Sequence, residues 1–299
     1  MKPAPPIRRF RAAAVAAIAI AAIAAGCGTV QPSIDRLLVA TGGLLQVTDA
    51  SGTLVPFDGP PDPVVAVTAS DGHVVAATAG GALMTSNGSS GPPRTWRGLD
   101  VPAAAGGGPP LIALSPLGRE IALAVGDPQG ARFDLIVVDV GLSTSRSIAV
   151  ERGLNGPPSW IGPSTVAIDV IGADGESELA MIDVERTAMA EVAVAARALS
   201  ATLDGQRIAV DDPGGDVLIG DVATWRSGTL GAMTRLHGPP GSGVENLALS
   251  PNGDRLAVVR RSEAGAASIE LFRALEQDWT SVRILTLAGD GPLSIAWLQ

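Results

Sequence analysis

The chain has 299 residues with 21 basic and 30 acidic groups, a formal net charge of −9, and 46% hydrophobic residues. This acidity argues against nucleic acid as a partner and against electrostatic docking on anionic lipid, while length and apolar content suffice for a sizeable core. A single cysteine allows no internal disulfide, and 37 Gly, 23 Pro and no Tyr favour many short strands over long helices.

Residues 1–26 read as a secretory signal. A basic start (Lys2, Arg8, Arg9, Arg11) precedes an apolar run from Ala12 to Ala25, and the small residues Ala24, Ala25 and Gly26 stand directly before Cys27. The run is shorter than the roughly 20 residues a spanning helix needs. Cys27 therefore falls where a bacterial lipoprotein is cut and its thiol alkylated by diacylglycerol. The signal holds four basic groups and no acids, so the mature chain carries 17 basic against 30 acidic groups, a net −13. Attachment to the membrane would then rest on two or three acyl chains, since one alone binds only marginally. Residues 27–34 are the lipidated N-terminus and tether, and seven residues (28–34) reach about 25 Å at most.

From residue 35 to 299 the chain repeats itself. Ile112-Ala-Leu-Ser-Pro-Leu-Gly-Arg-Glu-Ile-Ala-Leu-Ala124, Leu199-Ser-Ala-Thr-Leu-Asp-Gly-Gln-Arg-Ile-Ala-Val210 and Leu247-Ala-Leu-Ser-Pro-Asn-Gly-Asp-Arg-Leu-Ala-Val-Val259 share a strand, a glycine turn and a second strand. Val65 to Ala77 is a weaker copy, and Ser159 to Ile168 keeps the rhythm with a shortened turn. The second strands begin near residues 36, 73, 120, 165, 207 and 255, which is the period of a four-stranded propeller blade. Within a unit the strands are lettered A to D from the axis outward. The last unit predicts A over 246–250, B over 255–260, C over 267–273 and D over 280–287. Gly-Pro-Pro at Gly59, Gly108, Gly156 and Gly238, echoed by Gly291-Pro292, punctuates the approach to each strand A.

The two ends complement each other. The first unit opens at a strand B (Asp35 to Ala40), and Pro292 to Leu298 form a strand A with nothing after it. The expected fold is therefore all-β: a six-bladed β-propeller of four-stranded antiparallel blades, closed by the C-terminal strand pairing into the first blade.

These phrases resemble the WD40-like or TolB-like repeat of exported bacterial proteins, and with the anchor at Cys27 they resemble the propeller part of actinobacterial LpqB-type lipoproteins. That resemblance covers about residues 35–298. It implies an extracytoplasmic propeller associated with a two-component sensor kinase, there following other domains. Here only residues 28–34 separate anchor and propeller, so the preceding domain is expected to be missing.

Catalytic chemistry has little to draw on. His73 replaces the usual turn arginine and reads as solvated, and His237 reads as a surface residue beside Gly238. No metal-ligand spacing, calcium loop or nucleophile elbow occurs, so no catalytic residue, metal or cofactor is expected. Two surface features remain. The first is a set of acids in the B–C loops, Asp127, Asp174, Glu176, Glu178, Asp211, Asp212 and Asp216, on the same face as the Gly-Pro-Pro loops. The second is a recurring Trp at the start of strand D, namely Trp96, Trp225 and Trp279, two of them followed by Arg and hence of interface composition. Trp160 and Trp297, on inner strands, are expected in the core.

The resulting expectation is a monomeric lipoprotein on the extracytoplasmic face of the cell membrane, held there at Cys27. Its propeller would act as a non-catalytic scaffold or sensor for an envelope protein. The alternatives are a propeller-type hydrolase or lactonase and a lipoprotein that binds a small ligand.

Overall fold

The computed structural model describes residues 36–49, 51–70, 72–87, 95–99, 111–126, 130–142, 144–172, 175–192, 198–212, 214–275, 278–287 and 293–298, all within the unit Asp35–Gln299. Cys27 lies outside them. Blade 1 holds β1 (Arg36–Thr41), β2 (Leu44–Thr48) and β3 (Leu54–Pro56), and blade 2 holds β4 (Val64–Ser70), β5 (His73–Thr78), β6 (Leu83–Asn87) and β7 (Arg97–Leu99). Blade 3 follows with β8 (Leu111–Leu114), β9 (Glu120–Gly126), β10 (Phe133–Asp139) and β11 (Ser145–Val150). Blade 4 comprises β12 (Gly153–Leu154), β13 (Ser159–Trp160), β14 (Thr165–Ile171), β15 (Ser177–Asp183) and β16 (Ala188–Val192). Its strand A is two pieces, β12 and β13, because Pro157 and Pro158 between them cannot donate to the ladder.

Blade 5 consists of β17 (Leu199–Ala201), β18 (Arg207–Asp211), β19 (Val217–Asp221) and β20 (Thr234–Leu236), with a helix, α1 (Val222–Arg226), between its strands C and D. Blade 6 has the longest strands: β21 (Ser242–Leu249), β22 (Arg255–Ser262), β23 (Ala267–Leu275) and β24 (Asp278–Leu287). The last strand, β25 (Ser294–Leu298), supplies strand A of blade 1, so the all-β six-bladed ring of four-stranded antiparallel blades stands as expected.

Strands B are largely apolar because both of their faces are covered. In β18, Ile208 and Val210 pack against blade 4, whereas Ala209 packs against blade 6. The buried side chains fall into six such clusters, one between each pair of neighbouring blades. Six strands B begin at residues 36, 73, 120, 165, 207 and 255, the positions read from the turns.

Three of those turns have one construction. Gly118, Gly205 and Gly253 adopt φ of 66°, 66° and 72°, open to glycine without strain, and their N–H groups donate to Ser115, Thr202 and Ser250 carbonyls at 2.8–2.9 Å. The hydroxyls of Ser115, Thr202 and Ser250 accept the N–H that opens strand B, from Glu120, Arg207 and Arg255, at 2.9–3.0 Å. These three repeats thus satisfy their turns in the same way, which is why the short phrase is so legible.

Closure is a five-pair antiparallel register from Arg36↔Leu298 to Ala40↔Ser294. The Trp297 indole N–H donates to the Ala248 carbonyl of blade 6 at 2.7 Å, and Trp160 at the equivalent place donates to Ala113 of blade 3 at 3.1 Å. Ser294 Oγ accepts from Val67 N at 3.0 Å, joining blade 1 to blade 2. Both tryptophans are buried, as expected for inner strands.

Candidate functional site

Strand direction divides the loops between two faces. B–C and D–A loops share one: Val64 N donates to Gly43 O at 3.0 Å, Glu263 N to Gly241 O at 3.2 Å, and Gly238 N to Asp216 Oδ1 at 3.0 Å. A–B and C–D turns share the other. There Val140, Val184, Val222 and Ala274 at the ends of strands C donate to Arg119, Ser164, Gln206 and Asp254 carbonyls at 2.8–2.9 Å.

On the first face, two of the anticipated acids are brought together. Asp212 and Asp216 flank the B–C turn of blade 5, and Arg235 Nη1 reaches both, at 2.5 and 3.0 Å. His237 Nδ1 stands 3.1 Å from Asp216 Oδ2, the same oxygen that Arg235 reaches. Beneath them Arg260 of β22, its side chain only 3% exposed, donates from Nη1 to the Gly215 carbonyl at 2.6 Å and holds Glu270 at 3.7 Å. Gly238 has to be glycine at this point. A Cβ there would lie 2.3 Å from Arg260 Nη1 and 2.6 Å from Gly215 O. The Gly-Pro-Pro loop and the acidic loop are therefore seated on one buried guanidinium.

The Arg235 hydrogen bond, followed by that from Gly238 N, holds the Asp216 carboxyl below its usual 3.8. A lowered carboxylate pKa contributes stability that is present above the ordinary value and is lost as pH falls from there through the lowered one. The melting temperature of the wild type is therefore expected to drop between about pH 5 and 3, and Asp216→Asn to flatten that slope. Thermal melts across this range check it; an unchanged slope in the variant would remove Asp216 from the loop's support.

The other anticipated residues are placed differently. Asp211 is 7% exposed and turns back onto its own blade, its Oδ1 accepting from Ala198 N at 2.8 Å, so it is not part of an exposed surface. Glu176 is exposed on the B–C loop of blade 4, while Glu178 on β15 is half-buried. Asp127 and Asp174 lie outside the described residues. Trp225 is fully buried, because it belongs to α1 and packs with Leu230 and Met233 against blade 4; it cannot serve a partner surface. Trp96 is half-buried, donating to the Asp58 carbonyl at 3.0 Å and packing between blades 1 and 2. Trp279 is half-buried between blades 5 and 6, with Arg207 5.6 Å above its ring. His73 is not a free turn residue: its ring packs against the Gly118 turn of blade 3, where a Cβ would lie 2.8 Å from its Cδ2.

Residues of the six strands A line an axial cavity of about 360 Å³. Among the described residues, no three His, Cys, Asp or Glu side chains gather as metal ligands, and no helix is long and apolar enough to cross a membrane.

The sequence matches no protein-family model, and no curated protein matches it by sequence. In structure the chain is similar to TolB from Acinetobacter baumannii, at 14% identity and a TM-score of 0.64, over 88% of this chain and 66% of that one. It is also similar to a putative TolB from Agrobacterium tumefaciens (13% identity, TM-score 0.56, 89% of this chain and 99% of that one). A third likeness is the β-propeller domain of Cps50 (Swd1) from Myceliophteria thermophila, at 13% identity and a TM-score of 0.50, covering 76% and 72% of the two chains. The fold is that of the TolB-like propellers.

Proposed function

We propose that this chain is a lipid-anchored extracytoplasmic protein whose propeller is a non-catalytic scaffold or sensor surface for another protein of the cell envelope. The observation that supports it best is the patch at the blade 5–6 mouth. Asp212, Asp216, Arg235 and His237 are tied together there, yet Arg235 is 43% and His237 78% exposed in their side chains. A polar patch already held in one arrangement has less side-chain freedom to lose when a partner arrives. Rigid loops on a closed ring are also the usual way a scaffold presents such groups.

The anchor rests on the order of basic start, apolar run and small residues before Cys27. A link to an envelope sensor kinase rests on the resemblance to LpqB-type lipoproteins. Binding of a small ligand is the second reading, favoured by the axial cavity, whose volume is within the range of ligand sites.

Photo-crosslinking from position 237 in intact cells tests the scaffold. A recurrent envelope protein, lost in Arg235→Glu, is expected; no captured protein from 237, together with ligand-dependent protection of the axial strands, would favour the second reading. Cys27→Ala is expected to move the chain from the membrane fraction to the soluble or secreted one. Retention in the membrane would overturn the anchor.

A further inference from the structure

Resting on the lipoprotein reading, we infer that the face bearing the A–B and C–D turns lies against the membrane, and that Leu117 and Leu142 enter the lipid interface. The ring makes the two faces unequal as exits for the tether. β1 is a strand B, and Arg36 pairs with Leu298 at the end of β25, so the chain enters the propeller at the A–B side. From Cys27 to Arg36 are nine Cα steps, which reach about 30 Å at most. To bring the opposite face to the bilayer, the tether would pass two outer strands, about 10 Å, and then run the length of a strand, about 20 Å for six residues. That path uses the whole reach and leaves nothing for insertion of the acyl chains.

The A–B face also carries the apolar tips such a contact needs. Leu117 in the A–B turn of blade 3 is 55% exposed and Leu142 in its C–D turn 74%, and the two turns are joined by the bond from Val140 N to Arg119 O. Leu275 at the C–D end of β23 is 53% exposed on the same side. Leucines at turn tips this open to water can insert their side chains into a lipid interface without disturbing the blades beneath. Exposed Arg119, Arg186 and Arg226 share the rim with exposed Asp204, Glu185, Asp221 and Asp278, giving mixed charge that headgroups tolerate. Among the described residues the opposite face exposes Leu44 beside the acids Asp58, Asp62, Glu176 and Glu263, and the orientation turns these toward a partner and away from anionic lipid.

Acylated Cys27 leaves the chain without a free thiol, so an introduced cysteine can be labelled alone. The full chain is purified from membranes of expressing cells as Leu117→Cys, Leu142→Cys, Asp62→Cys and Glu263→Cys. Each is labelled with bimane and reconstituted into phosphatidylglycerol–phosphatidylethanolamine vesicles with or without doxyl-labelled lipid. Flotation is read first and quenching second. Bimane at 117 and 142 is expected to lose more than half of its emission to doxyl lipid, and at 62 and 263 to lose almost none. Vesicles that float with quenching at 62 and 263, or at no position, overturn the orientation and leave the anchor standing. A chain that does not float overturns the anchor and the orientation with it.

Discussion

Trp297→Ala is expected to lower the unfolding free energy by about 4–6 kcal/mol. Truncating a buried tryptophan costs about 3–5 kcal/mol, and losing the donor to Ala248 adds about 1 kcal/mol for a buried carbonyl left without its partner. That is about a quarter or more of the stability of an ordinary domain. The consequence is topological as well as energetic. Trp297 stands in the strand that joins the chain's end to its beginning, so the variant should expose the β1–β25 ladder together with the blade 6 face. Trp160→Ala removes the same indole and an equivalent bond between blades 3 and 4, which remain neighbours through the chain itself. Denaturant unfolding with amide exchange separates the two. Trp297→Ala should release amides 36–40 at far lower denaturant than Trp160→Ala, and Val282→Ala, on the exposed outer strand, should stay within about 0.5 kcal/mol of wild type. A loss below about 1 kcal/mol at Trp297 would mean that β25 does not carry the closure.

The ring was legible because its signals are local and repeated. Asp-Gly or Asn-Gly, or Pro with a following Gly, marks the turn, and a run of apolar residues marks a strand covered on both faces. Even closure could be read, since a first unit without strand A and a last strand without a blade answer each other. What failed was the outer edge of blade 5. Ala223-Thr-Trp225-Arg looks like Arg94-Thr-Trp96-Arg, but twelve residues separate β19 from β20, and they coil into α1 and a short 3₁₀ turn. The signal that distinguishes them is the spacing of Val222, Trp225, Leu230 and Met233, which places one apolar side along a helical turn and draws Trp225 inward. The site was half legible. Asp212, Asp216 and Glu176 lie in the B–C loops where acids were sought, whereas Asp211 and Glu178 belong to strands, and the assembly of the patch depends on residues far apart in sequence. Asp216 meets His237 across 21 positions, and Arg260 reaches Gly215 across 45, from just past the apolar stretch Leu256–Val259 of β22.

Arg260 is therefore the position where one substitution should most disturb the mouth. Burial pushes its guanidinium pKa down, opposed by Glu270 and Asp216, and it stays charged. Its Nε and Nη2 are buried without a hydrogen-bond partner, so the group already bears part of its desolvation cost. Arg260→Met fills most of the same volume, but it leaves the Gly215 carbonyl without its donor and Glu270, 16% exposed, without its counter-charge. A loss of about 3–5 kcal/mol is expected, the usual result of removing one partner of a buried pair. Adding Glu270→Met should return at least about 2 kcal/mol, because the stranded carboxylate goes with it. The guanidinium also forms the floor under Gly238, so Arg260→Met should speed amide exchange at Gly238 and weaken crosslinking from position 237. If the double variant is no more stable than the single one, the charge pair is not what holds the floor. The close approach of Gly238 to Gly215 would then be the contact that seats the two loops, and Gly238→Ala should disturb the mouth more than the loss of Arg260.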